Sequence, residues 1–191
     1  MFNGIIKYTG KIFKISKFKN EYFVSVKSNI KFSKNEIGSS ICCSGACLTL
    51  ESVLGKISKF YISKETINRT NFKFLKKDSI INIEKSLKFG DRISGHFVQG
   101  HVDSISVIKN INIIGKSWYI DFSLPKKYRK FIIEKGSIAI NGVSLTIAKK
   151  LKNFFRIVVI PQTLKYTNLI NLKKGEIVNI EYDVLSKYKK A

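Results

Sequence analysis

Cys42, Cys43 and Cys47 are the only thiols of the chain and fall within six positions. An odd number at that spacing is no disulfide framework. No second ligand-spaced pair and no neighbouring histidine complete a zinc site, so reduced and mostly buried thiols are expected. Ser144 lies in Gly142-Val143-Ser144-Leu145-Thr146, which lacks the second glycine of a nucleophile elbow and argues against a serine hydrolase. His96 and His101 are five residues apart, on opposite faces of an extended chain, and are not expected to chelate one metal together. Asp183 reads either as a solvated strand-end carboxylate or as a group that helps move a proton.

The elements that would position these residues come in two copies. Ser44-Gly45-Ala46-Cys47-Leu48-Thr49-Leu50 recurs as Asn141-Gly142-Val143-Ser144-Leu145-Thr146-Ile147, an offset of 97 residues. Lys64 to Phe72 recurs as Pro161 to Leu169, and Leu75 to Glu84 as Leu172 to Glu181, in the same register. Three blocks in one register identify a duplicated domain. The boundary falls near Ser86 to Gly95, giving domains at 1–90 and 91–185 and a tail at 186–191. Carried along the chain, the offset sets Cys47 against Ser144, Gly4 against His101 and Ser86 against Asp183. Thr49/Thr146, Thr66/Thr163 and Asn82/Asn179 are shared and read as scaffold or ligand contacts. Two similar cradles would then hold two similar ligands, with His101, Ser144 and Asp183 adding chemistry to one of them.

Within each copy, short runs of Ile, Val, Phe and Tyr alternate in period two between Gly, Asn and Ser punctuation. Val178, Ile180, Tyr182 and Val184 are expected to face one way, and Asn179, Glu181 and Asp183 the other. Lys126 to Glu134, with Pro125 in its first turn, is the best helical stretch. A copy with about six short strands closes most naturally into a small barrel, so the expected class is all-β with two tandem barrels.

Composition narrows the function further. A length of 191 residues suits two domains of about 90–100 residues each, and 44% hydrophobic content is enough to pack them. The longest apolar runs, such as Ile157 to Ile160, are far too short to span a membrane. Lys7, Lys11 and Lys14 interrupt any secretory leader, so a cytoplasmic protein is expected. The net charge of +22 invites a nucleic-acid reading. Against it, the lysines are scattered, and Arg occurs only at Arg69, Arg92, Arg129 and Arg156. Abundant Lys, Ile, Asn and Phe is the signature of AT-rich codons. The residues alone therefore leave a duplicated β-barrel that binds a small molecule or an oligonucleotide. Exposed aromatics beside clustered basic residues, which the second would need, are not evident.

The motifs go further. Met1-Phe2-Asn3-Gly4-Ile5-Ile6, Ser44-Gly45-Ala46-Cys47-Leu48-Thr49, Lys64-Glu65-Thr66, Gly95-His96-Phe97-Val98-Gln99-Gly100-His101-Val102-Asp103, Asn141-Gly142-Val143-Ser144-Leu145-Thr146 and Ile160-Pro161-Gln162-Thr163-Leu164 resemble the riboflavin synthase α-chain family in order and spacing. Asn3 stands where that family usually has Thr, and Ser94 where it has Gly. The resemblance implies two six-stranded Greek-key barrels. It also implies the dismutation of two 6,7-dimethyl-8-ribityllumazines by four-carbon transfer, giving riboflavin and 5-amino-6-ribitylaminouracil without cofactor or metal.

For substrate contacts in the first barrel the resemblance implies Gly4, Ile5, Ile6, Cys47, Leu48, Thr49, Tyr61, Ile62, Ser63, Lys64, Glu65 and Thr66. In the second it implies Gly100, His101, Val102, Ser144, Leu145, Thr146, Val158, Val159, Ile160, Pro161, Gln162 and Thr163. Lys135 matches a position that reaches a neighbouring subunit's ligand. Cys47, His101, Ser144, Thr146 and Asp183 match residues implicated in the chemistry. A homotrimer and association with lumazine synthase are implied as well. The short stretch after Asp183, with Lys187, Lys189 and Lys190, predicts a weak trimer. The alternative on the same fold is a non-catalytic lumazine- or flavin-binding relative.

Overall fold

Ser44-Gly45 and Asn141-Gly142 sit in the left-handed region at both positions, with φ of 44° and 85° in the first turn and 47° and 76° in the second. Two consecutive positive φ values make the tight turn whose twist suits a β-hairpin. Around these turns the computed structural model, which describes residues 1–19 and 21–188, builds two closed antiparallel barrels. The first comprises β1 (Tyr8–Phe18), β2 (Glu21–Ser28), β3 (Ser40–Cys43), β4 (Ala46–Leu54), β5 (Ile57–Ile62) and β6 (Ile80–Lys85). The second comprises β7 (Ser104–Ile114), β8 (Ser117–Ser123), β9 (Ser137–Ile140), β10 (Val143–Lys150), β11 (Phe154–Val159) and β12 (Ile177–Tyr182). Both close in the same order, β1-β2-β5-β4-β3-β6 and β7-β8-β11-β10-β9-β12, so the all-β reading holds. Closure leaves no free sheet edge.

Short helices follow the last hairpin of each copy, α1 (Lys64–Arg69) and α2 (Pro161–Tyr166), and α3 (Val184–Tyr188) follows β12. The helical stretch expected at Lys126 to Glu134 is a 3-10 helix over Lys126–Phe131, with Pro125 just ahead of it in an extended conformation.

Each barrel has its own core. Ile12, Val24, Leu50, Phe60 and Ile83 fill the first, while Ile120, Phe122, Phe155, Ile157 and Val178 fill the second. Phe122 stacks on Phe155 at 5.4 Å between ring centroids.

The repeat does not keep one register throughout. Tyr8 opens β1 and Ser104 opens β7, an offset of 96, whereas Ser40 and Ser137 open β3 and β9 at 97. The second copy carries one extra residue between β8 and β9. Ahead of that insertion the alignment used above is one residue out: Ile5 matches His101, and Gly4 matches Gly100.

The alternation expected along β12 is present, but its polar face is buried too. Asn179 and Glu181 are 1% and 2% exposed, and Val184 lies in α3 instead of continuing the strand. The reason is the barrel interface. The Asn82 side chain donates to the Asn141 carbonyl and to Asn168 Oδ1, both at 2.9 Å. The matching Asn179 amide donates to the Ser44 carbonyl at 2.8 Å, and its Oδ1 accepts from the Asn71 amide at 2.7 Å. Asn82 and Asn179 are therefore scaffold, tying each barrel to the other's turn. Gly45 and Gly142 meet there, and a Cβ on either would lie 2.8 Å from the other's amide nitrogen. An approximate twofold axis runs between them.

Candidate active site

The cradles are built by exchange. Phe2 and Val98 pair as an isolated antiparallel bridge, and from it the two segments run in opposite directions. Met1 to Ile6 crosses onto the second barrel, where the Ser144 amide donates to the Gly4 carbonyl at 2.8 Å and Ile6 joins the core. Gly100 to Val102 crosses onto the first, where the Cys47 amide donates to the Gly100 carbonyl at 2.8 Å and Val102 packs on the core. The grouping implied by the resemblance is thus reversed. Gly4, Ile5 and Ile6 belong with Ser144, and Gly100, His101 and Val102 belong with Cys47.

Two glutamates hold the exchanged segments. The Asn3 and Gly4 amides donate to Glu84, each at 3.0 Å. Glu181 accepts from Gln99, Gly100 and His101 at 2.6, 2.9 and 3.0 Å. Burial raises the Glu84 carboxyl above the ordinary range and pushes Glu181 up to about 7, against the pull of the Gln99 and Gly100 amides and of Lys187. Both glutamates end the third repeated block of sequence, and that recurrence was the signal that could have found them.

A cleft of about 570 Å³ opens where the first segment meets the second barrel. Gly4, Ile5, Ile6, Ser144, Gln162 and Thr163 line it together, so six of the expected contacts converge. Its lining is more apolar than polar, as suits a flat heteroaromatic ligand held by a few directed groups. Gln162 and Thr163 come from the first turn of α2, begun by Pro161 with Ile160 as its cap residue. In the other cradle Ser63 caps α1 by accepting from the Thr66 amide at 3.0 Å. Lys64 and Glu65 are exposed on that helix, and Glu65 pairs with Arg69.

Three expected contacts point inward instead. Leu48, Ile62 and Val159 are 3%, 0% and 1% exposed within the barrel cores, which leaves only their backbone for a ligand. Tyr61, Val158 and Leu145 are half-buried on the barrel walls, and Thr49 and Thr146 are exposed on β4 and β10. Lys135 is exposed in a left-handed turn, φ 66°, anchored by its amide on the Ile147 carbonyl.

The chemical candidates separate into two places. Cys47 packs against Phe2, Cys42, Val98 and Ala139, while the side chain of His101 is exposed. Burial raises the Cys42 and Cys43 thiols well above the usual range, in keeping with inert core cysteines. On the other side, His96 Nδ1 lies 2.7 Å from Ser144 Oγ, a partnership that sequence spacing did not suggest. Burial lowers the basicity of His96, with the Asp183 carboxylate acting the other way. Asp183 also heads α3, its Oδ1 accepting from the Leu185 amide at 3.0 Å.

Comparison with known proteins agrees with this architecture. The Lumazine binding domain family matches the chain twice, over residues 3–86 and 99–183. Two such domains, closed as barrels with exchanged edges, define the class. Riboflavin synthase of Actinobacillus pleuropneumoniae is 36% identical over 188 residues, covering 98% of this chain and 87% of its own. The riboflavin synthase of Buchnera aphidicola subsp. Schizaphis graminum is 38% identical over 189 residues, covering 96% and 89%. The solved structure of LumP complexed with riboflavin superposes with a TM-score of 0.84 at 27% identity, covering 95% and 99%. LumP complexed with 6,7-dimethyl-8-(1'-D-ribityl) lumazine gives 0.81 at the same identity. The chain belongs to the riboflavin synthase family. No helix among the described residues is long and apolar enough to cross a membrane.

Proposed function

We infer that the chain is a riboflavin synthase, a transferase that converts two 6,7-dimethyl-8-ribityllumazines into riboflavin and 5-amino-6-ribitylaminouracil. The observation that carries this is the pair of cradles: one fold made twice, one holding Cys47 and the other Ser144 with His96. Donor and acceptor are the same compound in this reaction, so two similar cradles with different polar groups suit it. Positioning supplies much of the rate. The C7 methyl of a lumazine is already acidic, which leaves the protein modest proton-transfer work and an anion to stabilise.

Two stacked rings need cradles that face each other. Gly4 and Gly100 each lie two residues from the Phe2–Val98 bridge, in opposite directions. Within one chain the two therefore point away from a common bridge, and the resemblance pairs the second cradle of one subunit with the first of another, so that the complete site forms between subunits. Leu185 and Ile133 expose an apolar patch beside α3 that suits such an assembly, and a homotrimer is the form the resemblance favours. Lys135 reaching the neighbour's ligand, association with lumazine synthase and a cytoplasmic location belong to the same proposal. Co-sedimentation with lumazine synthase tests the association.

The purified chain incubated with the lumazine should yield one riboflavin per two lumazines, followed by fluorescence, with no added metal or nucleotide. A protein that binds the lumazine without turnover is instead a binding relative, the second reading, which the likeness to LumP keeps open.

A further inference from the structure

We propose that Lys7 makes the second cradle the one that holds its lumazine as the anion. The inference rests on the riboflavin synthase reading and adds a residue to it. Among the described residues, Lys7 is the one charged side chain lining the cleft, set beside the apolar Ile5, Ile6 and Val143. It is exposed and forms no ion pair with a described carboxylate. Loss of a C7-methyl proton to solvent leaves the electron pair of that C–H bond spread over the pteridine ring. An ammonium group on a largely apolar wall stabilises this anion more than it stabilises the neutral ring.

The other cradle carries the opposite sign at the same place. Tyr8 and Ser104 open matching strands at an offset of 96, which sets Lys7 against Asp103. The Asp103 carboxylate accepts from the Tyr182 amide at 2.9 Å and pairs with Lys187 at 2.7 Å. A ligand in the first cradle therefore lies near a neutralised pair, and one in the second near an unpaired ammonium. Two copies of one compound must differ in reactivity to react with each other, and this contrast in charge separates them.

The groups around Lys7 leave its charge in place. Lys7 also lines a second hollow, with Glu84, Lys85, Asp91 and Arg92. Glu84 is committed to the Asn3 and Gly4 amides and Asp91 to the Lys88 amide, while Lys85 pairs with Glu36. On the barrel side the titratable groups are Tyr166 and, resting on Ser144, His96.

Stopped-flow spectra of the full chain mixed with 6,7-dimethyl-8-ribityllumazine over a pH series test the assignment. They read the bound anion before riboflavin accumulates, because the deprotonated ring absorbs apart from the neutral one. The anion-to-neutral ratio of the bound compound, averaged over both cradles, should stand about fivefold above that of the free compound. Lys7→Gln should lose most of this excess and lower kcat up to about tenfold, with affinity for riboflavin, a neutral ring, within about threefold. Lys7→Arg should keep the ratio and kcat within about threefold of wild type. Raising salt from about 0.05 to about 0.5 M should erode the wild-type ratio and leave that of Lys7→Gln unmoved. An unchanged ratio in Lys7→Gln, or a Lys7→Arg protein as poor as Lys7→Gln, overturns the proposal. So does a loss of riboflavin affinity that matches the loss of kcat, which marks Lys7 as an ordinary binding contact. A wild-type chain that binds the lumazine and makes no riboflavin overturns the functional reading instead, and the anion ratio then still decides Lys7. A chain that binds no lumazine overturns both.

Discussion

At the scale of residues, Glu181 carries a charge where the fold least favours one. Its carboxyl is pushed up to about 7 from an ordinary 4.5, so between those values the folded chain keeps a proton that the unfolded chain has released. Stability then falls as pH rises through that window, by at most about 1.4 kcal/mol per pH unit from this group, and levels off above it. Glu84 shifts in the same direction. Urea midpoints measured at pH 5 and 7.5 should fall less in Glu181→Gln than in the wild type, and parallel slopes would assign the pH dependence elsewhere. Asp183 offers a second discrimination, since it both caps α3 and faces His96 electrostatically. Asp183→Ala should cost about 1 kcal/mol through the lost cap. Asp183→Asn keeps an acceptor at the cap, so its thermal midpoint should stay near wild type while turnover slows. Unchanged turnover in Asp183→Asn would leave Asp183 a cap alone.

At the scale of elements, the segment Met1 to Ile6 walls a cradle while belonging to none of the barrel strands. It is held by Glu84, by the Ser144 amide and by Ile6 in the second core. Gly4 is left-handed at φ 72°, and a Cβ there would lie 2.7 Å from the Ser144 amide nitrogen. Gly4→Ala therefore combines about 1–2 kcal/mol of backbone strain with a clash against Ser144. The expected result is a folded chain whose riboflavin titration drops from two sites per chain to one. Two sites of unchanged affinity would show that the segment does not form the cradle wall.

For the whole molecule, the exchange makes each half dependent on the other. The fragment Met1 to Leu87 lacks Gly100 to Val102, and its own Ile6 belongs in the core of the second barrel. It should bind riboflavin only as a dimer, each copy lending its Met1 to Ile6 to its partner's Cys47. A monomer that binds by equilibrium sedimentation would contradict this. On the proposed site between subunits, specific activity of the intact chain should fall on dilution. The expected weakening of the trimer by tail repulsion bears on one described residue. Lys187 pairs with Asp103 at 2.7 Å, Leu185 and Tyr188 expose apolar surface, and Lys189 and Lys190 lie outside the described residues. Raised salt is thus expected to do little for assembly, as a light-scattering series would show.

Duplication and the all-β class were legible in the sequence. They depend on local spacing: period-two alternation, turn punctuation and blocks repeated at a constant offset. The offset itself misled once, because a single residue inserted between β8 and β9 shifts everything ahead of it, moving His101 from Gly4 to Ile5. Which barrel each segment serves could not be read, since Gly4 and Ser144 meet across 140 residues of chain through contacts that no local pattern encodes. The inward turn of Leu48, Ile62 and Val159, the burial of Asn82 and Asn179, and the seat of His96 on Ser144 share that origin. Each is set by how two closed barrels pack about their common axis, and that packing exists only once the chain has folded.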